Sequence, residues 1–222
     1  LEFIFDINLR FMYASPLERK VRQMKQRLIF SAILLIGTVS NAAFAEDWYA
    51  GGTFGKTTVD TGISAVSGAT LDEDDTGSSF FIGTKLDDSF SIEGFYTDFG
   101  EASLAGDNGD TFVLDGTTYT FNTSATIKYS GSTMGAAGKL HFDMTENLQG
   151  FVKGGIHWWD VEAAVTTATA SANATDEGSD IIMGIGMDYQ IGENLALLVG
   201  YDKYTVDSED ITFLGGGIRF DF

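Results

Sequence analysis

Two kinds of side chain alternate along most of this chain, and the last twelve residues show the alternation clearly. In residues 211–222, the more apolar side carries Thr212, Leu214, Gly216, Ile218, Phe220 and Phe222. The other side ends in Arg219 and Asp221. A period of two is that of a β-strand, and two different faces indicate two different surroundings. Because the apolar side continues to the final residue, we expect this strand to end inside an apolar layer.

The sequence contains eight segments with strand character, and this one is the last of them. We predict strands at 48–60, 78–85, 90–100, 125–142, 148–163, 180–191, 195–204 and 211–222. Short turn signals fall at 86–89, 143–147 and 192–194, whereas polar stretches fall at 61–77, 101–124, 164–179 and 205–210. Short connections at one end and long ones at the other are typical of outer-membrane barrels. The sequence therefore predicts an all-β fold, an eight-stranded antiparallel transmembrane β-barrel with short periplasmic turns and long extracellular loops.

A soluble β-sandwich also produces alternating strands, so the pattern alone does not decide between the two folds. The aromatic residues favour the barrel, because many of them lie near strand ends on the face that we interpret as outward. They are Trp48, Tyr96, Phe142, Trp158, Tyr189, Tyr201, Phe220 and Phe222. Aromatic rings at these levels are typical of the two membrane interfaces.

The first 45 residues have a different character. Met24, Lys25 and Arg27 precede an apolar run at 28–39, and small residues follow up to Ala45. This layout is that of a secretory signal peptide, and its apolar run is too short for a membrane helix. We predict a signal peptide at 24–45, a barrel domain at 46–222, and an upstream extension at 1–23 that is not native to the protein. A buried helix is the alternative interpretation of the apolar run.

Charge and composition exclude several classes of function. Residues 46–222 contain 7 Lys and Arg against 29 Asp and Glu, a formal charge of −22. Such a surface repels nucleic acid, so no nucleic-acid partner is expected. The chain has no cysteine, which excludes disulfides and thiolate metal sites. No cofactor site is predicted.

Four stretches resemble the OmpA-like transmembrane domain family. They are Trp48-Tyr49-Ala50-Gly51-Gly52, the segment at 90–100, the segment at 194–202, and the closing Gly217-Ile218-Arg219-Phe220-Asp221-Phe222. The resemblance implies an eight-stranded outer-membrane barrel, a small type whose interior side chains fill. Many members continue into a periplasmic peptidoglycan-binding domain, whereas this sequence stops at Phe222. We therefore expect no cell-wall tether.

Charged residues collect on the predicted inner face near the short turns. The predicted interior ion network consists of Lys85, Glu93, Lys139, Lys153, Asp188 and Arg219. Buried charges must be paired to avoid a large desolvation cost, so we expect Glu93 to meet Lys139, Lys153 or Arg219. The resemblance also implies an inward acid at the place of Glu93 with basic partners. A network that fills the lumen is the main hypothesis, and a narrow pore for ions or small solutes is the alternative.

Enzymatic function is a second alternative, because some small outer-membrane barrels modify lipids with a Ser or Thr nucleophile beside a His. His141 lies near the short turns, and His157 lies nearer the loops, where Ser179 or Thr166 is a candidate neighbour. We interpret both histidines as lumen-filling residues. The prediction is that the protein is not an enzyme.

The predicted partners are outer-membrane lipid and lipopolysaccharide, the barrel-assembly machinery, and a surface ligand bound through the loops. Assembly machinery is expected to recognise the C-terminal insertion signal of Ile218, Phe220 and Phe222. A monomer is expected. In the second loop, a hairpin is predicted around Asp115-Gly116, and its docking candidates for a partner are Phe112, Leu114, Tyr119 and Phe121.

Acidic clusters in the loops raise the question of Ca²⁺ or Mg²⁺ binding, because carboxylates are the ligands that these cations prefer. The acids are Asp72, Glu73, Asp74, Asp75, Asp107, Asp110, Asp115, Asp207, Glu209 and Asp210. Their spacing matches no known calcium loop, so we predict a solvated acidic surface. Weak binding of divalent cations that bridge to lipopolysaccharide phosphate is the alternative.

Overall fold

The computed structural model describes residues 48–222, and the fold is all-β. The predicted upstream extension at 1–23 and signal peptide at 24–45 lie outside the described residues. Within residues 48–222, no helix has the length and apolar character that a membrane span requires.

Eight long strands form the main sheet. They are β1 (Trp48–Val59), β4 (Asp74–Asp87), β5 (Phe90–Gly106), β8 (Ala125–Asp143), β9 (Leu148–Thr167), β10 (Ser171–Gln190), β11 (Leu195–Val206) and β12 (Glu209–Asp221). Each pairs antiparallel with the next along the chain, and β12 pairs with β1 to close the ring. The predicted eight-stranded antiparallel barrel is confirmed.

Alternation sorts the side chains into an outer and an inner set, as neighbouring isoleucines in β10 show. Ile181 is 49% exposed and faces outward, whereas Ile182 is 1% exposed and faces the lumen. Val199 and Ile218 are also exposed, and Arg219 is buried. Large apolar side chains therefore cover the outside, and the buried charged side chains, such as Arg219, face the interior.

The strands are longer than the sequence predicts at the end opposite the short turns. The predicted loop at 164–179 is wrong, because β9 and β10 pair as far as Thr166 and Ser171 and leave a connection of three residues. In this part of β9 and β10 the outward side chains are mostly exposed and the inward ones are only half-buried, so the segment has no fully apolar face and has the composition of a loop. The predicted loop at 205–210 is likewise a tight turn at Asp207 and Ser208.

A β-bulge between Asp98 and Glu101 interrupts the pairing of β5 with β8. Gly100 has a φ of 74° there, a conformation that glycine adopts without steric cost. The extra residue shifts the alternation, so the inward positions of β5 change from odd to even numbers. Ala102 and Leu104 are buried above the bulge for this reason. The predicted end of this strand at Gly100 marks the bulge, and the strand itself continues to Gly106.

Four short strands lie in the first and second extracellular connections. They are β2 (Ile63–Ser67), β3 (Thr70–Asp72), β6 (Thr111–Leu114) and β7 (Thr117–Thr120). Strand β3 pairs with β5, whereas β2, β6 and β7 form a separate sheet. The predicted hairpin at Asp115-Gly116 is confirmed, since β6 and β7 pair antiparallel on either side of it, with φ values of 50° and 75° at the turn.

The three-stranded sheet packs on the inner face of the extended β5 and β8. Ile63, Leu104 and Phe121 form the centre of this contact. Tyr129 and Ile127 of β8 join it from the same face that lines the barrel below. The small sheet therefore lies against the inner wall of the barrel's extracellular extension.

Candidate functional site: the barrel lumen

The half of the lumen near the short turns, called the lower lumen below, contains two ionic groups. In the first, Lys139 Nζ lies 3.2 Å from Glu93 Oε2, and Lys153 Nζ lies 3.9 Å from Glu93 Oε1. Lys153 Nζ also lies 2.8 Å from Asp202 Oδ2. The side chains of Lys139 and Glu93 are each only 3% exposed. Two bases and two acids thus neutralise one another in a buried space.

The second ionic group lies closer to the short turns. Arg219 Nη1 contacts Asp188 Oδ2, and Arg219 Nε donates to Asp221 Oδ1 at 2.9 Å. Lys85 Nζ lies 4.0 Å from Asp221 Oδ2, at the mouth, and its side chain is 38% exposed. This group also has two bases and two acids. The lower lumen is therefore electrically neutral within its eight paired side chains.

Tyr49 connects the two groups. Its hydroxyl lies 3.0 Å from Ser91 Oγ and 3.4 Å from Glu93 Oε2, and the guanidinium carbon of Arg219 lies 5.5 Å from the centre of its ring. Ser91 Oγ in turn lies 2.8 Å from His141 Nε2. A hydrogen-bonded series thus joins His141 near the mouth to Glu93.

The upper lumen, the half nearer the extracellular end, is mainly aromatic and aliphatic. Its buried side chains include Phe95, Phe99, Tyr204, Phe213, Ile182, Val206 and Ile211. Phe99 and Tyr204 meet edge to face with ring centres 5.0 Å apart, a favourable arrangement for aromatic pairs. The Tyr204 hydroxyl lies 3.0 Å from Thr97 Oγ1, so its one polar atom has a partner.

His157 is fully buried in the upper lumen. Its Nε2 lies 3.0 Å from the carbonyl oxygen of Thr205, and its Nδ1 lies 2.7 Å from Thr133 Oγ1. A carbonyl only accepts, so Nε2 carries the proton in this contact. The neighbours of the ring are thus not the candidates Ser179 and Thr166. Ser179 pairs in the ladder with Trp158 instead.

Little empty space remains among these side chains. A cavity of about 20 Å³ lies where the two halves meet, with Glu93, Lys153, Asp202 and Phe213 among its lining residues. It has room for about one water molecule. A larger cavity of about 180 Å³ lies at the short-turn mouth, beside Lys85, Asp188 and Arg219.

The four docking candidates of the second loop pack against one another and against the barrel extension. Phe112 and Tyr119 stack with ring centres 5.5 Å apart, and Phe112 lies 5.3 Å from Phe121. Phe121 is only 7% exposed, and Leu114 packs in the same cluster. Their contacts hold the hairpin in place, and their role in binding a partner stays a prediction.

The acidic residues of the extracellular end do not come together as a set of metal ligands within residues 48–222. Within residues 48–222, no three His, Cys, Asp or Glu side chains converge in a way that suits a metal ion.

The six predicted network residues all line the lower lumen or its mouth. The structure pairs Glu93 with Lys139 and Lys153, whereas Arg219 pairs with Asp188 and Asp221. The sequence analysis did not include Asp202 or Asp221 in the network, and it missed the pair of Ser91 with His141. The alternation in β11 contained the signal for Asp202, because this residue shares the inward side with Leu198 and Tyr204.

The fold is a filled, eight-stranded barrel, and the sequence of the chain matches that of a known family. The model of the OmpA-like transmembrane domain matches residues 43–212, well over half of the chain. The chain belongs to the OmpA-like transmembrane domain family. This OmpA-like barrel is a protein of the bacterial outer membrane, and it is surrounded there by lipid. No curated protein matches its sequence.

Solved outer-membrane barrels resemble the OmpA-like chain at low sequence identity. Ail, the attachment invasion locus protein of Yersinia pestis, is 12% identical, with a TM-score of 0.49 over 79% of this chain and 100% of Ail. The N-terminal β-barrel domain of Pseudomonas aeruginosa OprF is 15% identical, with a TM-score of 0.46 over 80% of this chain and 98% of that domain. The outer membrane protease OmpT of Escherichia coli is 8% identical, with a TM-score of 0.44 over 82% of this chain and 99% of OmpT.

Proposed function

We propose that this protein is a structural component of the outer membrane whose lumen is closed by an ion network and an aromatic layer. The observation that carries this proposal is the filling of the lumen at two successive levels. Glu93, Lys139 and Lys153 occupy the lower level, and Phe99, Phe213 and Tyr204 occupy the upper level. An eight-stranded barrel has an interior just wide enough for such side chains.

Charge balance supports the structural role. Four bases and four acids of the lower lumen compensate one another, which removes the fixed charge that attracts a permeant ion. Pairs of this kind also fix the register, because a shift of one strand by one residue turns its charged side chains toward lipid.

Conductance and gel mobility together test this proposal. Protein extracted from membranes is inserted into a planar bilayer, and the same sample is run on a gel with and without boiling. We expect heat-dependent migration, which reports a closed barrel, together with no stable open level. Steady single-channel conductance from the unmodified protein contradicts the structural role.

A narrow pore is the second candidate function, and the position of Lys153 favours it. The ammonium group of this residue lies between Glu93 and Asp202, at 3.9 Å and 2.8 Å, so it has two acidic partners within reach. Movement of Lys153 from one acid to the other changes the space at the level of the small cavity. Conductance that appears in Asp202→Asn, and is absent in the unmodified protein, supports this gate.

We further propose that the protein is not an enzyme. Ser91 and His141 form a serine–histidine pair at 2.8 Å, but Ser91 is fully buried, and neither residue lines the small cavity or the cavity at the mouth, so a lipid has no access to the pair. His141 Nδ1 has no hydrogen-bond partner within residues 48–222, so a third residue of the kind that orients a catalytic histidine is missing there. Lipid or ester hydrolysis that is lost in Ser91→Ala contradicts this proposal.

We propose that the extracellular hairpins make the protein's interactions outside the membrane. The exposed parts of the β6–β7 hairpin are the place for a surface ligand, with Phe112, Leu114, Tyr119 and Phe121 supporting them from below. The outward Ile218, Phe220 and Phe222, exposed by 54%, 48% and 56%, are proposed as the signal for the assembly machinery. A monomer is proposed, and its mass in detergent by light scattering tests it.

A further inference from the structure

The few basic side chains of this acidic protein are distributed unevenly. Residues 48–222 contain seven Lys and Arg, and four of them belong to the lower lumen. The other three, Lys56, Lys128 and Lys203, lie at outward positions of β1, β8 and β11. Their side chains are 59%, 49% and 50% exposed. The outer surface thus has its positive charge on barrel strands alone.

Two of these lysines lie on opposite sides of β12. Lys56 is directly opposite Leu214, and Lys203 is directly opposite Thr212, the next outward residue of the same strand. With strands about 4.8 Å apart and about 3.3 Å per residue, the two Cα atoms are about 12 Å apart. Both ammonium groups can therefore approach one bound molecule that lies over β12.

The two lysines lie directly above the apolar belt. Phe54, the outward residue below Lys56, is 67% exposed, and Tyr201, the outward residue below Lys203, is 44% exposed. Leu214 lies between these columns and is 55% exposed. All of this lies toward the extracellular end, where the outer leaflet meets its headgroups. Acyl chains thus have apolar contacts below, and a charged headgroup has two ammonium groups above.

We propose that Lys56 and Lys203 form a binding site for the phosphate groups of the outer-leaflet glycolipid. A phosphate group is the anion that an outer-leaflet lipid presents at this level, and lysine binds phosphate as a point charge. The Thr212 hydroxyl lies in the same outward row and supplies a further donor. The site rests on the outer-membrane location of the barrel and is independent of whether the lumen conducts.

Each lysine has an acidic neighbour that competes with the lipid. Lys56 Nζ lies 2.8 Å from Asp74 Oδ2, and Lys203 Nζ lies 2.5 Å from Asp210 Oδ2. Both pairs are solvent-exposed, and such pairs contribute little to stability. Exchange of the carboxylate for a phosphate therefore has a low cost.

Native mass spectrometry of the detergent-extracted protein, titrated with diphosphoryl lipid A, tests the proposal. A lysine near an anionic lipid surface contributes about a fivefold change in affinity, so Lys56→Gln with Lys203→Gln is expected to weaken binding by about 25-fold. Lys128→Gln is the matched control, because Lys128 is also outward and paired with an acid but lies alone on β8. It is expected to change binding by less than about twofold. Heat-dependent gel migration verifies that each variant is folded.

Three further results decide the matter. Asp74→Asn removes the acid that competes for Lys56 and is expected to leave lipid A binding unchanged or to tighten it by up to about fivefold, because the exposed pair is weak. Weaker binding in this variant overturns the proposal. Dephosphorylated lipid A is expected to bind as weakly as diphosphoryl lipid A binds to the double variant. Equal binding of phosphorylated and dephosphorylated lipid A shows that the phosphate groups are not recognised. Equal competition by phosphatidylglycerol, which also carries a phosphate, shows that the site does not select the glycolipid. Either result overturns the proposal.

Discussion

The two halves of the lumen are enclosed by the same eight strands but are filled by different physical means. The lower half is filled by charged side chains that are paired with opposite charges, such as Glu93 with Lys139 and Lys153. The upper half uses apolar volume, such as Phe99, Phe213 and Ile182. A defect in the lower half leaves an uncompensated charge, whereas a defect in the upper half leaves a void. The two halves should therefore fail with different magnitudes and different effects on permeability.

Glu93→Gln should produce the largest loss of stability. It leaves Lys139 without its acid and Lys153 with Asp202 alone, and breaking a buried ion pair costs about 3 to 5 kcal/mol. Urea unfolding of the protein in lipid vesicles, followed by gel migration, measures this loss. Glu101→Gln is the control, since Glu101 pairs with Lys128 at 2.7 Å on the surface and should lose at most about 1 kcal/mol. Equal losses for the two variants contradict a special role for the lower lumen.

Ile182→Ala should cost about 2 to 4 kcal/mol in the upper lumen, because it removes buried methyl groups and leaves a void. Ile181→Ala is the matched control on the lipid side of the same strand. Lipid chains fill the space there, so the cavity contribution is absent, and the loss should be smaller by about 1 kcal/mol or more. Unfolding in vesicles measures both losses. Conductance should stay absent in Ile182→Ala, and a new open level there would show that the aromatic half alone closes the barrel.

Tyr204→Phe should have a moderate effect, since it removes a hydroxyl that is bonded to Thr97 without disturbing the ring packing. A loss of about 1 kcal/mol is expected for this one buried hydrogen bond. Tyr201→Phe on the same strand faces outward and should be nearly neutral in the same vesicle assay. If Tyr204→Phe costs as much as Glu93→Gln, the upper half depends on polar contacts more than its composition indicates.

Ser208→Gly should have the smallest effect on stability, and it should stabilise the protein rather than destabilise it. Ser208 has a φ of 76° in the turn between β11 and β12, where glycine fits with less strain. A gain of about 0.5 to 1 kcal/mol is expected, which the same unfolding experiment detects as a higher midpoint. Ser208→Ala keeps the strain and should give no gain.

The eight strands could be predicted because each has one face toward lipid. The pattern of Ile181, Met183 and Ile185 is readable for that reason, and so are the turns between the strands at the periplasmic end. The predictions failed where the strands leave the membrane. In residues 164–179 neither face is fully apolar, so Thr, Ala and Ser give no alternation that distinguishes a strand from a loop.

For the lumen, the sequence predicted which charged residues face inward but not how they pair. Inward parity identified Lys85, Glu93, Lys139, Lys153, Asp188 and Arg219, because charged residues on the inner face are conspicuous. The division into two neutral groups depends on how strands that are distant in sequence meet, as in the contact of Lys153 with Asp202. The burial of Phe121 depends on the bulge at Gly100, which shifts the alternation without a distinctive sequence pattern.

The length of β9 and β10 determines how far this protein reaches from the cell. Each has 20 residues, which at about 3.3 Å per residue and a tilt of about 40° corresponds to a height of about 50 Å. The apolar band of such barrels is about 25 Å tall, so about 25 Å of this height remains outside the acyl chains. At that height the turn at 168–170 emerges among or above the sugars of the outer leaflet, where antibodies and phages first meet a bacterial surface.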